Sequence, residues 1–418
     1  MKVLFLTEYF YPYVHGGAEV SIFQLGRSLV KSGQQVSILT PNYGTRNKEM
    51  IEGIKVFRYP FLKKLKNYSD QLTPFWYSNP FFFFLLTIQI IKTVRREKMQ
   101  VIHCQSLYSL PAAAVAGKIL GLPTIVTFRD SQILCNYGWC LSQNQYGTTC
   151  SLKEYFTRDF KKYYQKRVSN KNLAIFLLQL CLAINGRIRT TILKFFARLI
   201  PNKITCSYSQ QKIFKVNGIG NTEVIYNLYA FPDKLNKPKP IGECILYATK
   251  LSPGKGLDIL LPAFARVLAV FPKARLLIVG GGEKNKYLQL SYDLGLGRKV
   301  EFSPRVTSEE VMNIRQKVLL EVAPSIYPES FGRVALEALA SGIPAVVSNR
   351  GGLKEIITDG ITGYITAPEE KALAEAIIKG IRNNGKLRAN IAANYQSLKQ
   401  KFGISPVEKH LSLYQSLL

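Results

Sequence analysis

Short apolar runs alternate with stretches of helical periodicity along most of the chain. The runs of the first half are Val3–Leu6, Val36–Leu39, Val101–His103 and Thr124–Thr127. The runs of the second half are Ile245–Ala248, Arg275–Val279, Val300–Phe302, Leu319–Val322 and Ala345–Val347. After the first run, a helical pattern continues through Val20, Phe23, Leu25 and Leu29. This alternation predicts an α/β fold with a doubly wound parallel sheet in each half.

A polar, proline-rich segment separates the two halves. Residues 231–240 have the sequence Phe-Pro-Asp-Lys-Leu-Asn-Lys-Pro-Lys-Pro, which is typical of a linker. We therefore predict an amino-terminal Rossmann-like domain over residues 1–232 and a carboxyl-terminal one over 243–395. A final segment, 396–418, is expected to pack back on the first domain. Residues 135–203 are too long for an ordinary connection and are predicted to form a basic insertion.

Composition excludes a disordered or fibrous chain, because 47% of the residues are hydrophobic and 20% are charged. The net charge of +29 is uneven, since residues 246–418 carry +8 and the preceding part +21. A basic excess in one half indicates an anionic partner: nucleic acid, an anionic membrane surface or an acidic substrate. Seven cysteines, and a start that resembles a strand more than a signal peptide, predict a reducing, cytoplasmic location.

Two apolar segments raise the question of membrane contact. Phe81–Ile91 and Leu173–Ile184 are each shorter than the ~20 residues of a spanning helix, so neither is expected to cross a bilayer. The next segment, Arg187–Ile200, is amphipathic. One of its faces carries Arg187, Thr191, Lys194 and Arg198, and the other carries Ile188, Ile192, Phe195 and Leu199. It is either a helix packed on its domain with a solvated basic face, or a membrane-surface helix.

The second half contains a strand, a loop and a helix start that suit a phosphate. Ser330 is predicted to cap a helix from about Gly332 to Ala340, whose free N–H groups and positive dipole end favour an anion. Glu329 precedes this helix and Glu337 lies about two turns along it, and both can accept hydrogen bonds from hydroxyls. Alternatively, Glu329 favours the helix dipole and Glu337 is solvated, although the apolar neighbours of Glu337 predict a partner.

Two lysines follow the first strand of the second half. Lys250 and Lys255 lie in the segment Tyr247–Gly256, where a loop at the carboxyl end of a strand would present both cations to a diphosphate leaving group. Either lysine alone could equally be a surface residue.

Together these motifs resemble the retaining glycosyltransferases of family 4, which have the GT-B fold of two Rossmann-like domains facing a cleft. The family's Glu-x7-Glu motif is matched by Glu329 and Glu337. The resemblance implies that Glu329 contacts hydroxyls of the transferred sugar and Glu337 the ribose of the nucleotide. It places the following helix-start residues near the donor diphosphate: Ser330, Phe331, Gly332, Arg333 and Val334.

The resemblance extends to other loops. It implies that Lys250, where the family usually has Arg, acts with Lys255 on the diphosphate. Lys250 keeps the charge but loses the bidentate fork of Arg. It also implies nucleotide contacts for the glycine-rich loop around Gly281, for the base pocket at Arg305 and Val306, and for the first loop at Gly16 and Gly17.

The main departure from the family is at Arg129. Arg129-Asp130 occupies the place of a common His-Asp pair, and Arg can bind phosphate but carries protons poorly near neutral pH. A catalytic role for Arg129 remains an expectation. In this class the departing phosphate oxygen is thought to take the acceptor's proton. His103 matches another family histidine, with a core or strand-end histidine as the alternative.

The resemblance predicts a UDP- or GDP-linked sugar donor and a lipid-linked or glycan acceptor. Peripheral attachment to the inner face of a membrane is predicted from the basic excess of the first half, the amphipathic segment Arg187–Ile200 and the apolar run Pro80–Ile91. The resemblance points to cell-surface polysaccharide or glycolipid synthesis. No cofactor or metal is expected, because the sequence has no Asp-x-Asp run, and Cys135, Cys140 and Cys150 match no tight zinc spacing. The alternatives are a sugar-nucleotide epimerase and a nucleic-acid-binding protein, although the chain has no recognisable nucleic-acid-binding motif.

Overall fold

The chain forms two compact units. The computed structural model describes residues 1–68, 70–136, 150–162, 164, 172–235, 238–304 and 306–418. Unit 1 consists of Met1–Leu228 with Ile404–Leu418, and unit 2 consists of Tyr229–Gly403. Residues 229–232, assigned to the first domain from sequence, therefore belong to unit 2. So do residues 396–403, which were expected to return to the first domain.

Unit 1 is built on a sheet whose described strands have the order β3-β4-β2-β1-β5-β6-β7-β8. Their bounds are β1 Lys2–Leu6, β2 Gln35–Asn42, β3 Lys48–Ile51, β4 Ile54–Pro60, β5 Val101–Cys104, β6 Thr124–Phe128, β7 Asn202–Thr205 and β8 Thr222–Val224. Neighbouring strands are parallel, except that β3 pairs antiparallel with β4. The apolar pattern predicted β1, β2, β5 and β6 but missed the other four.

The helices of the first part of unit 1 are α1 Gly17–Lys31, α2 Pro80–Glu97, α3 Leu110–Leu120, α4 Leu152–Glu154, α5 Leu173–Leu199 and α6 Tyr208–Val216. The prediction divided α5 at residues 184–187, but it is one continuous helix of 27 residues. Its length and composition would allow it to cross a bilayer, and 17% of its apolar window is buried. One helix of this kind is weak evidence for a membrane span.

Unit 2 has a parallel sheet whose described strands have the order β11-β10-β9-β12-β13-β14. Their bounds are β9 Cys244–Ala248, β10 Arg275–Val279, β11 Val300–Ser303, β12 Leu320–Ala323, β13 Ala345–Ser348 and β14 Gly363–Thr366. Its helices are α7 Leu257–Val270, α8 Lys284–Asp293, α9 Ser308–Arg315, α10 Arg333–Ala340, α11 Leu353–Ile356, α12 Glu370–Arg382, α13 Asn384–Ala393 and α14 Tyr395–Lys399. Both units are thus Rossmann-like, as predicted.

The last helix, α15 (Ser405–Ser416), belongs to unit 1. Its Tyr414 is fully buried in the core that contains Val3 and Phe5 of β1. The Tyr414 hydroxyl lies 2.6 Å from Nδ1 of buried His103, whose Nε2 lies 2.7 Å from Oγ1 of Thr127. Both ring nitrogens of His103 are therefore engaged in buried hydrogen bonds within the fold.

The strand order of each sheet creates one topological switch point. The chain order reverses between β1 and β5 in unit 1 and between β9 and β12 in unit 2. Loops that leave the carboxyl ends of two such strands diverge to opposite faces of the sheet, and the crevice between them is where open α/β sheets bind ligands. The fold therefore places a candidate crevice in each unit.

In unit 1 a cavity of about 110 Å³ opens at this position, lined by residues that include Glu8, Gln105, Tyr108 and Arg129. Glu8 follows β1 directly and is only 7% exposed. Ser109 Oγ donates a hydrogen bond of 2.9 Å to Glu8 Oε1. Burial nevertheless raises the pKa of Glu8 to about 7, because losing water destabilises the carboxylate more than the nearby serine hydroxyls stabilise it.

Glu8 predicts a pH-dependent difference in stability between the wild type and Glu8→Gln. The folded state keeps the Glu8 proton up to about pH 7, whereas the unfolded chain releases it near pH 4.5. The stability that protonated Glu8 contributes is therefore lost as pH rises through 7. Since Gln stays neutral, the free energy of unfolding of Glu8→Gln should exceed that of the wild type by up to about 3 kcal/mol at pH 8, and by much less at pH 5.

Urea unfolding at pH 5 and pH 8 measures this difference. Glu375→Gln is the control, because Glu375 is an exposed carboxylate of α12. An equal effect of Glu8→Gln at both pH values would contradict a proton bound to Glu8 in the folded state.

Candidate functional site

In unit 2 the loops that follow β9 and β12 are joined by an ion pair. Nζ of Lys255, after β9, lies 2.6 Å from Oε1 of Glu329, after β12, and Ser325 Oγ donates to the same oxygen at 2.6 Å. The two charged side chains are 18% and 15% exposed. Burial disfavours the charged lysine, but the carboxylate of Glu329 outweighs this and raises the pKa of Lys255. Two predicted site residues thus meet at the switch point of the sheet.

The helix next to this pair begins within one residue of its predicted start, but its predicted cap is wrong. Helix α10 starts at Arg333 and its N-cap is Gly332, so Ser330 does not cap it. Gly332 has φ +95°, and a Cβ there would lie 2.5 Å from Cδ2 of Leu353. Both the left-handed conformation and the contact with Leu353 require glycine. The start of α10 carries the positive end of the helix dipole, which favours an anion.

Glu337 lies in a second cluster of charges. Its Oε1 accepts from Nε of Arg333 at 2.6 Å, and its Oε2 is 3.0 Å from Nη2 of Arg315. Burial disfavours the charged carboxylate, but the two arginines outweigh this and lower the pKa of Glu337. The expectation that Glu337 has a polar partner is therefore correct, and the alternative of a solvated helix residue is wrong.

The sequence analysis did not identify two members of this cluster. Arg315 at the end of α9 is 2% exposed, and its Nε lies 2.8 Å from Oε2 of Glu321 in β12, which is 1% exposed. A carboxylate inside the apolar run Leu319–Val322 was the available signal, because a buried charge requires a partner. The pairing fixes Glu337 against the sheet through Arg315.

The glycine-rich loop after β10 supports the loop that carries Lys250. Leu251 N donates to Gly281 O at 2.8 Å, and Glu283 N donates to Leu251 O at 3.0 Å. A Cβ at Gly282 would lie 2.2 Å from the carbonyl oxygen of Leu251. This close approach of two backbones accounts for glycine at this position without a nucleotide. Lys250 itself is exposed.

The predicted residues of unit 1 lie near its cavity or at a helix start. Gly16 and Gly17 are exposed at the start of α1, where Glu19 Oε2 accepts from the N–H of Gly16 at 2.9 Å. Arg129 lies in the cavity wall, where it donates to Gln105 Oε1 from Nη2 at 2.5 Å and from Nε at 3.2 Å, and also to Asn227. Arg129 is thus oriented by two amide side chains.

Some of the predicted positions cannot be placed in either site. Arg305 and Cys140, with residues 137–149 of the basic insertion, lie outside the described residues. Val306 is half-buried in the loop after β11. Across the described ranges, no group of three or more His, Cys, Asp or Glu side chains is arranged to hold a metal ion.

Comparison with known proteins assigns the two halves to glycosyltransferase families. A model of the group 1 glycosyl transferases matches residues 232–398, and a model of glycosyltransferase family 4 matches residues 15–171. An uncharacterised glycosyltransferase of Methanocaldococcus jannaschii is 26% identical over 88% of this chain and 86% of its own length. The phosphatidylinositol N-acetylglucosaminyltransferase gpi3 subunit of Schizosaccharomyces pombe is 24% identical over 99% of this chain and 80% of its own.

Among solved structures, Anabaena HepE in complex with UDP and glucose has the same fold. It superposes with a TM-score of 0.65 at 20% identity over the whole of both chains. Since the two family models together span most of the sequence, and the fold is shared from end to end, the chain belongs to the GT-B glycosyltransferases of the family 4 type.

Proposed function

We propose that the protein is a retaining glycosyltransferase that transfers a sugar from a UDP- or GDP-linked donor to a hydroxyl of a lipid-linked or glycan acceptor. The observation that carries this proposal is the Lys255–Glu329 ion pair at the switch point of unit 2, close in sequence to the start of α10. A cation, a carboxylate and the positive end of a helix dipole suit a diphosphate sugar. The expected place of action is the synthesis of cell-surface polysaccharide or glycolipid.

On the donor side, the two charge clusters have separate tasks. Lys255, with Lys250, stabilises the diphosphate, and Glu329 accepts hydrogen bonds from the hydroxyls of the sugar. Glu337, held by Arg315 and Arg333, accepts hydrogen bonds from the ribose. The amides from Phe331 to Val334 bind phosphate oxygens, and Val306 lies against the base.

On the acceptor side, the cavity of unit 1 suits a hydroxyl-bearing molecule, because Glu8 and the serine hydroxyls beside it can accept hydrogen bonds. Several relatives are named for inositol lipids, among them the Schizosaccharomyces pombe subunit and a phosphatidyl-myo-inositol mannosyltransferase of Mycobacterium leprae. These names support a lipid acceptor. A cytoplasmic enzyme on the inner face of a membrane would have access to both substrates.

The reaction needs no protein base in the main step. The bond from the sugar's anomeric carbon to the phosphate oxygen breaks, and a bond to the acceptor oxygen forms on the same face. The acceptor's proton passes to the departing phosphate oxygen. The lysines, rather than a metal, supply the positive charge, and Arg129 lies at the cavity wall where it can contact a phosphate.

Nucleotide-sugar hydrolysis and product stereochemistry test the proposal. Incubation with UDP- and GDP-linked sugars should slowly release nucleoside diphosphate in the absence of acceptor, and should do so in EDTA. NMR of a transfer product should show the anomeric configuration of the donor. The absence of release with every donor would contradict a transferase, and an inverted product would contradict retention.

Glu337 and Glu329 are predicted to have different effects on nucleotide binding. Glu337→Gln should weaken binding of the nucleoside diphosphate by about 1.5–3 kcal/mol, because hydrogen bonds from the ribose to a charged acceptor are lost. Glu329→Gln should leave this affinity nearly unchanged and lower turnover. Calorimetry with the nucleoside diphosphate measures the first effect, and thermal unfolding checks that both variants are folded. Unchanged affinity in folded Glu337→Gln would remove the ribose assignment.

Lys255 is predicted to matter more for turnover than any exposed lysine. The diphosphate gains negative charge as the glycosidic bond breaks, so Lys255→Ala should lower kcat by roughly a hundredfold or more. The matched control is Lys273→Ala, since Lys273 is exposed in unit 2. Rates are measured at saturating donor, and wild-type turnover in Lys255→Ala would show that this loop does not act on the diphosphate.

A further inference from the structure

Helix α5 has two apolar sides, of which only one is covered. Ala183, Gly186, Thr190, Leu193 and Ala197 are buried, at the spacing of a single helix face. At about 100° per residue, another set of apolar side chains lies on the opposite side. It consists of Leu177, Ile184, Ile188, Ile192, Phe195 and Leu199, which are between 43% and 57% exposed. Two interpretations of Arg187–Ile200 were left open by the sequence, a helix packed on its domain and a membrane-surface helix. The first requires the apolar face to be covered, but in the structure this face meets solvent.

Two more exposed apolar side chains lie at the amino-terminal end of α2, which contacts α5. Phe81 and Phe84 are 62% and 65% exposed. The ring of Phe83, between them in sequence, lies 6.1 Å from that of Phe196 in α5. The six α5 residues with Phe81 and Phe84 are called the docking face below. Exposed apolar side chains gathered on neighbouring helices in this way mark a contact with another molecule or a membrane.

Positive charge flanks the docking face. Arg187, Lys194 and Arg198 follow one edge of α5, and α5 contains no Asp or Glu. Both arginines also donate to backbone carbonyls, Arg187 to Cys150 O at 3.1 Å and Arg198 to Gly218 O at 2.9 Å. Their side chains are therefore held beside the apolar surface. An apolar face with a basic border matches a bilayer whose headgroups are anionic.

We propose that the docking face attaches unit 1 to the surface of an anionic lipid bilayer, with α5 lying in the plane of the membrane. The side of α5 opposite the docking face argues against a spanning orientation. Leu193 and Ala197 are part of the main core of unit 1, together with Leu110 and Ala113 of α3. A spanning α5 would have to leave this core. The proposal does not depend on the transferase activity, because it concerns binding alone.

Co-sedimentation of the full chain with vesicles tests the proposal. Binding is expected with phosphatidylcholine vesicles that contain phosphatidylglycerol, but not with phosphatidylcholine alone. Binding should fall steeply as salt rises, because the headgroup attraction is screened. Replacement of Arg187, Lys194 and Arg198 by Gln should weaken it. Equal binding to both vesicles, or none to either, would overturn the proposal.

A pair of apolar substitutions locates the contact. Ile188→Gln with Phe195→Gln removes two exposed side chains of the docking face and should weaken vesicle binding by about tenfold or more. Met50→Gln with Ile241→Gln is the matched control, because these side chains are 60% and 68% exposed elsewhere in the chain. Equal losses in the two pairs would overturn the assignment to α5.

Three further measurements test the orientation of α5 on the bilayer, a second copy of the chain as the occupant of the docking face, and the independence of docking from catalysis. In the variant Ile188→Trp, fluorescence should shift to shorter wavelength with anionic vesicles and be quenched by lipids brominated near the headgroup. Quenching mainly at the bilayer centre would overturn the in-plane orientation. Sedimentation without lipid that showed a dimer abolished by Ile188→Gln with Phe195→Gln would assign the face to a second copy instead. Nucleotide-sugar hydrolysis without vesicles should be equal in wild type and that variant, so a failure of docking leaves the transferase proposal intact.

Discussion

Unit 2 depends on a buried pairing of opposite charges between segments that are distant in sequence. The Lys255–Glu329 ion pair joins the loops after β9 and β12 at the point where the strand order reverses. Neither charge would be stable alone in so dry a position, because each loses most of its hydration. Since the partners come from different loops, each loop holds the other in place, and the start of α10 is held close to both.

Arg315, Glu321 and Glu337 form a second pairing of opposite charges between distant segments, next to α10. Arg315 binds Glu321 of β12 with two nitrogens and Glu337 of α10 with one of them, so a single guanidinium links a helix end, a strand and a second helix. Removal of one partner would leave a buried charge uncompensated, which costs far more than an exposed pair. The position of Glu337 is thus set by the fold before any ligand arrives.

The sequence was sufficient to predict the fold class, the central strands and the proximity of Lys255 to Glu329. It was not sufficient for features that depend on tertiary contacts. The two outermost strands on each side of the unit 1 sheet (β3, β4, β7 and β8) and the edge strand β14 of unit 2 escaped the apolar pattern. Helix α5 was divided because Asn185, Gly186 and Arg187 interrupt its apolar run. In the fold, Gly186 continues the helix and packs closely on Asn136, where a Cβ would lie 2.3 Å from Nδ2. The roles of Arg315 and Glu321 likewise depend on contacts across the sheet that no local spacing encodes.

The position of α15 has a consequence for the order of folding during synthesis. Unit 1 is interrupted by the whole of unit 2, so α15 leaves the ribosome only after residues 229–403 have been translated. At about 5–20 residues per second this takes on the order of ten seconds or more. During that interval the imidazole of His103 and the core around Val3 and Phe5 have no Tyr414 to cover them. The unit that is begun first is therefore completed last, and its sheet passes through a period of exposure in which chaperone capture competes with closure.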